Sequence, residues 1–166
     1  KFNRIVTQHI GNLHTFGKYI SNCNNIIVSA LPDYRFRCDK IINNNSKFVI
    51  GIIGDISDVK GFYVLQELSL LIENRKDIDI VIFGKVHIQT IQKQYPYQTI
   101  QDLNHLLETH KPNVLFELSI WPETFSFTLT LAMMTGLPIL YHNKFINCTV
   151  QRRLYEYQKS FIFNNI

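Results

Sequence analysis

The sequence predicts an α/β domain built on a doubly wound, Rossmann-like parallel sheet. Three observations predict it. Four short, nearly continuous apolar runs recur along the chain: Phe48 to Gly54, Ile78 to Gly84, Val114 to Phe116 and Pro138 to Tyr141. Runs of this kind mark strands buried on both faces. Helical patterns separate them, and glycine or proline punctuates the joins.

Each helix follows from its spacing. Leu65, Leu68 and Ile72 recur at i, i+3 and i+7, with Leu71 beside them. Ile100, Leu103, Leu106 and Leu107 repeat the pattern. Phe125 to Thr135 is apolar nearly all round, and Gly136 followed by Pro138 reads as a helix stop and a strand start. Strand–helix–strand alternation requires the strands near Val49, Ile80, Val114 and Ile139 to lie parallel in one sheet. Val150 to Gln158 predicts a closing helix, and Phe161 to Phe163 a short last strand. Residues 1–46 are a lead-in, with a helix around Leu13 to Ile20, a strand at Ile26 to Val28 and a polar loop at Asn43 to Ser46. Residues 47–166 form the core of a single domain spanning 1–166.

Length and composition bound the function. The 166 residues suffice for one core. With 46% hydrophobic and 18% charged residues the chain is globular rather than disordered. No apolar run reaches the roughly 18–20 residues that span a bilayer. The chain opens at Lys1 rather than Met, so a preceding segment is expected. A net charge of +4 fits an anionic ligand, or peripheral contact with an anionic membrane surface. The basic residues form no dense run and do not alternate with aromatics, so nucleic acid is not expected as a partner. Cys23, Cys38 and Cys148 are far apart, which fits reduced thiols in a cytoplasmic protein. The histidines lack metal-ligand spacing, and no metal is expected.

In open parallel sheets ligands bind at the carboxyl ends of strands, beside helix N-termini. Two loops occupy such positions. The first, Gly54 to Gly61, brings Lys60 into the first turn of a helix that Asp58 caps. A bound anion would make that cation favourable; otherwise it is a solvated lysine, mildly unfavourable at the positive helix end. The second runs from Ser119 to Thr128. There Thr124 is placed to cap the helix, which leaves the amides near Ser126 and Phe127 for an anion. Glu123 either complements the helix dipole or faces a ligand, and Trp121 is either core or part of the same site.

The run Trp121-Pro122-Glu123-Thr124-Phe125-Ser126-Phe127-Thr128-Leu129, continued by Ala132 to Pro138, resembles the donor-site helix of family-four retaining glycosyltransferases of the GT-B fold. The Lys60-Gly61 loop is similar to that family's phosphate loop, and the resemblance covers roughly Lys47 to Phe163. It implies one half of a GT-B fold, the C-terminal, donor-binding half. It also implies a nucleotide-diphosphate sugar as donor substrate, no other cofactor, and an acceptor-binding N-terminal domain elsewhere in the same protein. Lys60 and Glu123 would be catalytic: Lys60 meets the diphosphate and Glu123 the hydroxyls of the transferred sugar. Gly54 and the amides of Ser126, Phe127 and Thr128 would line the phosphate site.

Two departures stand out. The family's second glutamate, a ribose ligand, falls on Leu131, and an arginine common after the first loop glycine is replaced by Asp55. Leucine cannot accept the ribose hydroxyls. The resemblance therefore leaves two readings, a donor-binding half of a hexosyltransferase or a degenerate domain serving as scaffold. Leu131→Glu separates them: it tightens nucleotide binding in the first and destabilises the domain in the second.

Overall fold

The structure is a computed structural model, and it describes residues 4–10, 12–13, 26–29, 45–88, 92–121, 123, 125–142 and 149–163. The four apolar runs all form strands: β3 (Phe48–Ile53), β4 (Ile78–Phe83), β6 (Val114–Glu117) and β7 (Ile139–His142). They lie in one six-stranded sheet with β5 (Lys93–Gln94) and β8 (Ser160–Phe163), in the order β5-β4-β3-β6-β7-β8. Every pairing in it is parallel. Register brings apolar residues level across the sheet, Ile52 with Ile82 and Leu115 with Ile139.

Alternate residues of these strands point to opposite faces, so the sheet feeds two cores. On one face Phe83, Leu115 and Ile139 pack against Leu103 and Leu107 of α2 (Ile100–His110), Leu129 of α3 (Phe127–Met134) and Leu154 of α4 (Thr149–Glu156). On the other, Ile52, Ile82 and Phe116 pack against Phe62 and Leu65 of α1 (Phe62–Ile72). Helices thus cover both faces, as the predicted doubly wound architecture requires.

Helix α2 starts with a capping box. The Thr99 hydroxyl accepts from the Asp102 amide at 3.1 Å, and the Asp102 carboxylate accepts from the Thr99 amide at 2.9 Å. These hydrogen bonds hold the Asp102 carboxyl below its usual range.

The predicted strand at Ile26–Val28, β2, belongs to a different sheet. It pairs in parallel with β1 (Ile5–Thr7), a strand the sequence reading did not anticipate. Asn12 ties this pair to the start of α4: its amide donates to Thr7 Oγ1 at 2.8 Å, and its carbonyl accepts from Thr149 Oγ1 at 2.6 Å. Beyond Leu13 the expected lead-in helix lies outside the described residues, as do the three cysteines. No helix among the described residues is long and apolar enough to cross a membrane.

Candidate functional site

Strand order creates the site. From β3 the chain builds outward through β4 and β5; from β6 it builds the other way through β7 and β8. The neighbours β3 and β6 therefore form the topological switch point, and a crevice opens beyond their carboxyl ends. The Gly54–Gly61 loop leaves β3 and the 118–126 loop leaves β6, so both candidate loops border it. A cavity of about 160 Å3 lies there, lined by Gly54, Lys60, Glu117, Ser119, Glu123 and Thr128 among others. A larger cavity of about 550 Å3 runs beside α1, lined by Leu65, Ser69, Ile72 and Ile78. It reaches the start of β4, the end of the strands at which ligands are not bound in such sheets.

The first loop differs from the expected one. Ser57 O accepts from the amides of both Lys60 and Phe62, forming a tight turn. Helix α1 begins only at Phe62, with Gly61 as its N-cap and no side-chain cap. Asp58 therefore does not cap the helix, and Lys60 precedes it rather than occupying its first turn. The reason is steric: Gly61 has φ +87°, and a Cβ there would stand 2.1 Å from Leu118 O. Gly54 makes a second close approach, with φ +111° and a virtual Cβ 2.6 Å from Thr128 Cγ2. The absence of a side chain at Gly54 is what lets the end of β3 touch the first turn of α3.

The second loop enters α3 through Ser126, which is the N-cap; its Oγ accepts from the Leu129 amide at 3.2 Å. The cap expected at Thr124 is thereby corrected, since that residue lies before the helix and outside the described residues. Arg153 of α4 holds this start in place. Its guanidinium is buried, donates to Ser126 O at 2.9 Å and Thr130 Oγ1 at 2.7 Å, and lies 4.4 Å from the centre of the Phe125 ring. Phe127 and Thr128 are the first two helical residues, whose amides have no partner within the helix. Thr128 reaches the cavity; Ser126 and Phe127 are not in its wall. Trp121 is 59% exposed, which excludes the core reading.

Lys60 and Glu123, 63 residues apart, meet across the crevice in an ion pair. The Glu123 side chain is 10% exposed and that of Lys60 42%. Ser119 Oγ also donates to Glu123 Oε1, at 3.0 Å. Lys60 is therefore not a lone cation at a helix end, and removing it leaves a nearly buried carboxylate behind. Asp55 lines the cavity, but its carboxylate is engaged on the β4 side: it accepts from the Lys85 amide at 2.9 Å and lies 3.6 Å from His87 Nε2. Leu131 is half-buried against the Phe83–Leu115 core and lines no part of the Lys60 cavity. Because Glu123 stands in the loop, the two residues do not share a helical face.

Glu117, the last residue of β6, was not singled out in the sequence. Its Oε1 accepts from the Ser119 amide at 3.2 Å. Burial pushes its carboxyl up to about 7, helped by the Glu123 charge and opposed by the Ser119 hydrogen bond, Lys60 and Arg153. The one sequence signal was a carboxylate ending an apolar run at a strand's carboxyl end. Arg153 carried no signal, because an arginine in a closing helix is ordinarily on the surface.

No family model matches the sequence, and no curated protein matches it. Solved structures do. TarM superposes with a TM-score of 0.72 at 13% identity, over 99% of this chain and 34% of TarM. Anabaena HepE in complex with UDP and glucose gives 0.67 at 13%, over 98% of this chain and 49% of HepE. The catalytic domain of starch synthase IV from Arabidopsis thaliana, bound to ADP and acarbose, gives 0.60 at 11%, over 98% and 44%. The fold is that of one Rossmann-like half of a GT-B glycosyltransferase. This GT-B half spans between a third and a half of the length of those structures.

Proposed function

We propose that the chain is the donor-binding half of a retaining glycosyltransferase that transfers a hexose from a nucleotide diphosphate. The observation that carries the reading is the Lys60–Glu123 pair in the switch-point cavity, beside the first turn of α3. An incoming diphosphate competes for Lys60, and the freed Glu123 carboxylate then accepts hydrogen bonds from sugar hydroxyls. Lys60 and the first turn of α3 at Thr128 stabilise the charge that develops on the leaving diphosphate. Fixed positive charge takes this part in the reaction, so no metal is invoked.

The cavity is smaller than the roughly 300–1,000 Å3 that encloses a whole ligand. It suits the diphosphate, leaving base and sugar to a facing surface. The β1–β2 pair supports an N-terminal acceptor domain in the same protein: Val6, Ile26, Ile27 and Val28 are exposed apolar residues of a two-stranded parallel sheet. Parallel strands of this kind are ordinarily covered on both faces. UDP and ADP occupy two of the structural neighbours, HepE and starch synthase IV, which favours a nucleotide here. A cytoplasmic location, where nucleotide-sugars are made, fits the same reading.

The test is calorimetric titration of the chain with UDP-, GDP- and ADP-glucose. One of the three is expected to bind, and silence from all three under every condition would remove the donor reading. Leu131 favours a second reading, a scaffold without donor affinity, because it packs on core rather than into the cavity. In the same titration Leu131→Glu is expected to lower stability by about 1–2 kcal/mol, its half-buried position letting the carboxylate reach water. Nucleotide affinity should stay unchanged. A gain in affinity would place the ribose against Leu131.

A further inference from the structure

The wall of the Lys60 cavity carries one ammonium and three carboxylates, Asp55, Glu117 and Glu123. Asp55 is engaged by Lys85 and His87 on the β4 side. Glu123 is paired with Lys60. Glu117 remains, with the Ser119 amide on one oxygen and, among the described residues, no salt bridge. It lines the cavity and also the small pocket behind it, beside Trp121 and His142. An ionised Glu117 would face an incoming diphosphate at close range in a poorly solvated space, where like charges repel strongly. A neutral Glu117 would instead present an O–H donor to it.

The geometry points to Glu117 as a further ligand-contacting residue of the donor site, engaged as the neutral acid and donating its O–H to a phosphate oxygen, so that binding a nucleoside diphosphate takes up one proton. This rests on the donor-site reading above. The groups facing Glu117 are Lys60 and Asp55 from the loop after β3, Glu123 from the loop after β6, Tyr141 and His142 from β7, and Arg153 from α4. In the free chain burial already brings the carboxyl to about 7. A bound anion raises it further, because a second negative charge disfavours ionisation. The proton comes from solvent, and no covalent bond between heavy atoms is made or broken.

The experiment is calorimetric titration with UDP, GDP and ADP between pH 7 and 9, a range in which the terminal phosphate of the probe is already ionised, its second pKa lying near 6. Each pH is run in two buffers of different ionisation enthalpy, which counts protons directly. Above the free-chain value of about 7 the affinity should fall about tenfold per pH unit, with nearly one proton taken up at pH 8.5. Glu117→Gln keeps shape and a donor while removing the titration. It should bind with the same affinity across the range, take up no proton, and exceed the unmodified chain by about tenfold or more at pH 9.

A pH-independent affinity in the unmodified chain overturns the inference and leaves the donor site standing. So does an undiminished pH slope in Glu117→Gln. If no nucleotide binds to either protein at any pH, the donor reading falls and takes this one with it. Should the glutamine variant fail to fold, the two-buffer measurement on the unmodified chain decides alone. Absent proton uptake at pH 8.5 overturns the assignment.

Discussion

Gly61→Ala is expected to destabilise the chain by roughly 3–5 kcal/mol, the sum of a left-handed backbone imposed on alanine and an overlap the structure cannot relax. Gly61 has φ +87°, and its Cβ would stand 2.1 Å from Leu118 O and 2.7 Å from Leu118 C. Those are backbone atoms of the loop leaving β6, so relief requires α1 to shift from β6. Such a shift would open the Ile52–Leu65–Phe116 core and move Lys60, the preceding residue, away from Glu123. Gly136→Ala is the control. Gly136 also has positive φ, +68°, but a Cβ there meets nothing within 4 Å. It should cost about 1–2 kcal/mol, the left-handed penalty alone. Denaturant melts of both variants measure the difference. Equal losses would mean that the Gly61–Leu118 approach contributes nothing.

Lys60→Ala should weaken binding of whichever nucleoside diphosphate the chain takes by about 1.5–3 kcal/mol, the worth of charge-assisted contacts to an anion. The effect on the free chain has a sign that sequence reasoning assigned the other way. A lone cation at a helix N-terminus would be mildly unfavourable, and its loss neutral or stabilising. In the structure Lys60 is instead the partner of Glu123, whose side chain is 10% exposed. Its removal strands that carboxylate beside the Ser119 hydroxyl that donates to it. A loss of about 1–2 kcal/mol is expected, between the values for exposed and fully buried pairs. Adding Glu123→Gln to Lys60→Ala should recover most of it, because the carboxylate stranded by the loss of Lys60 is then gone. Thermal melts of the two variants, followed by nucleotide titration, check both halves. Unchanged nucleotide affinity in Lys60→Ala would place the diphosphate elsewhere.

Both candidate loops were legible because each follows a strand that the sequence marks clearly. A parallel strand covered on both faces must be almost wholly apolar, and the runs at Phe48, Ile78, Val114 and Pro138 have no other economical reading. β1 and β5 escaped for the opposite reason. Three residues at Ile5–Thr7 and two polar ones at Lys93–Gln94 carry no periodicity, and the sheet alone makes them strands. The helix starts were misplaced at Asp58 and Thr124 because capping residues compete locally, whereas Gly61 and Ser126 were selected from outside, by Leu118 and Arg153.

The sequence alone determined the α/β alternation, the parallel sheet, and the two loops that hold Lys60 and Glu123. Those features rest on burial and spacing, which act over one element at a time. Only the tertiary structure decided that β3 and β6 are neighbours, and from that followed everything specific to the site. It joined Lys60 to Glu123, turned Asp55 toward Lys85, set Leu131 on the core, and enclosed Glu117 deeply enough to hold its proton near neutral pH. Charge and desolvation depend on distances between segments that lie far apart in the chain, and no local pattern of residues encodes those distances.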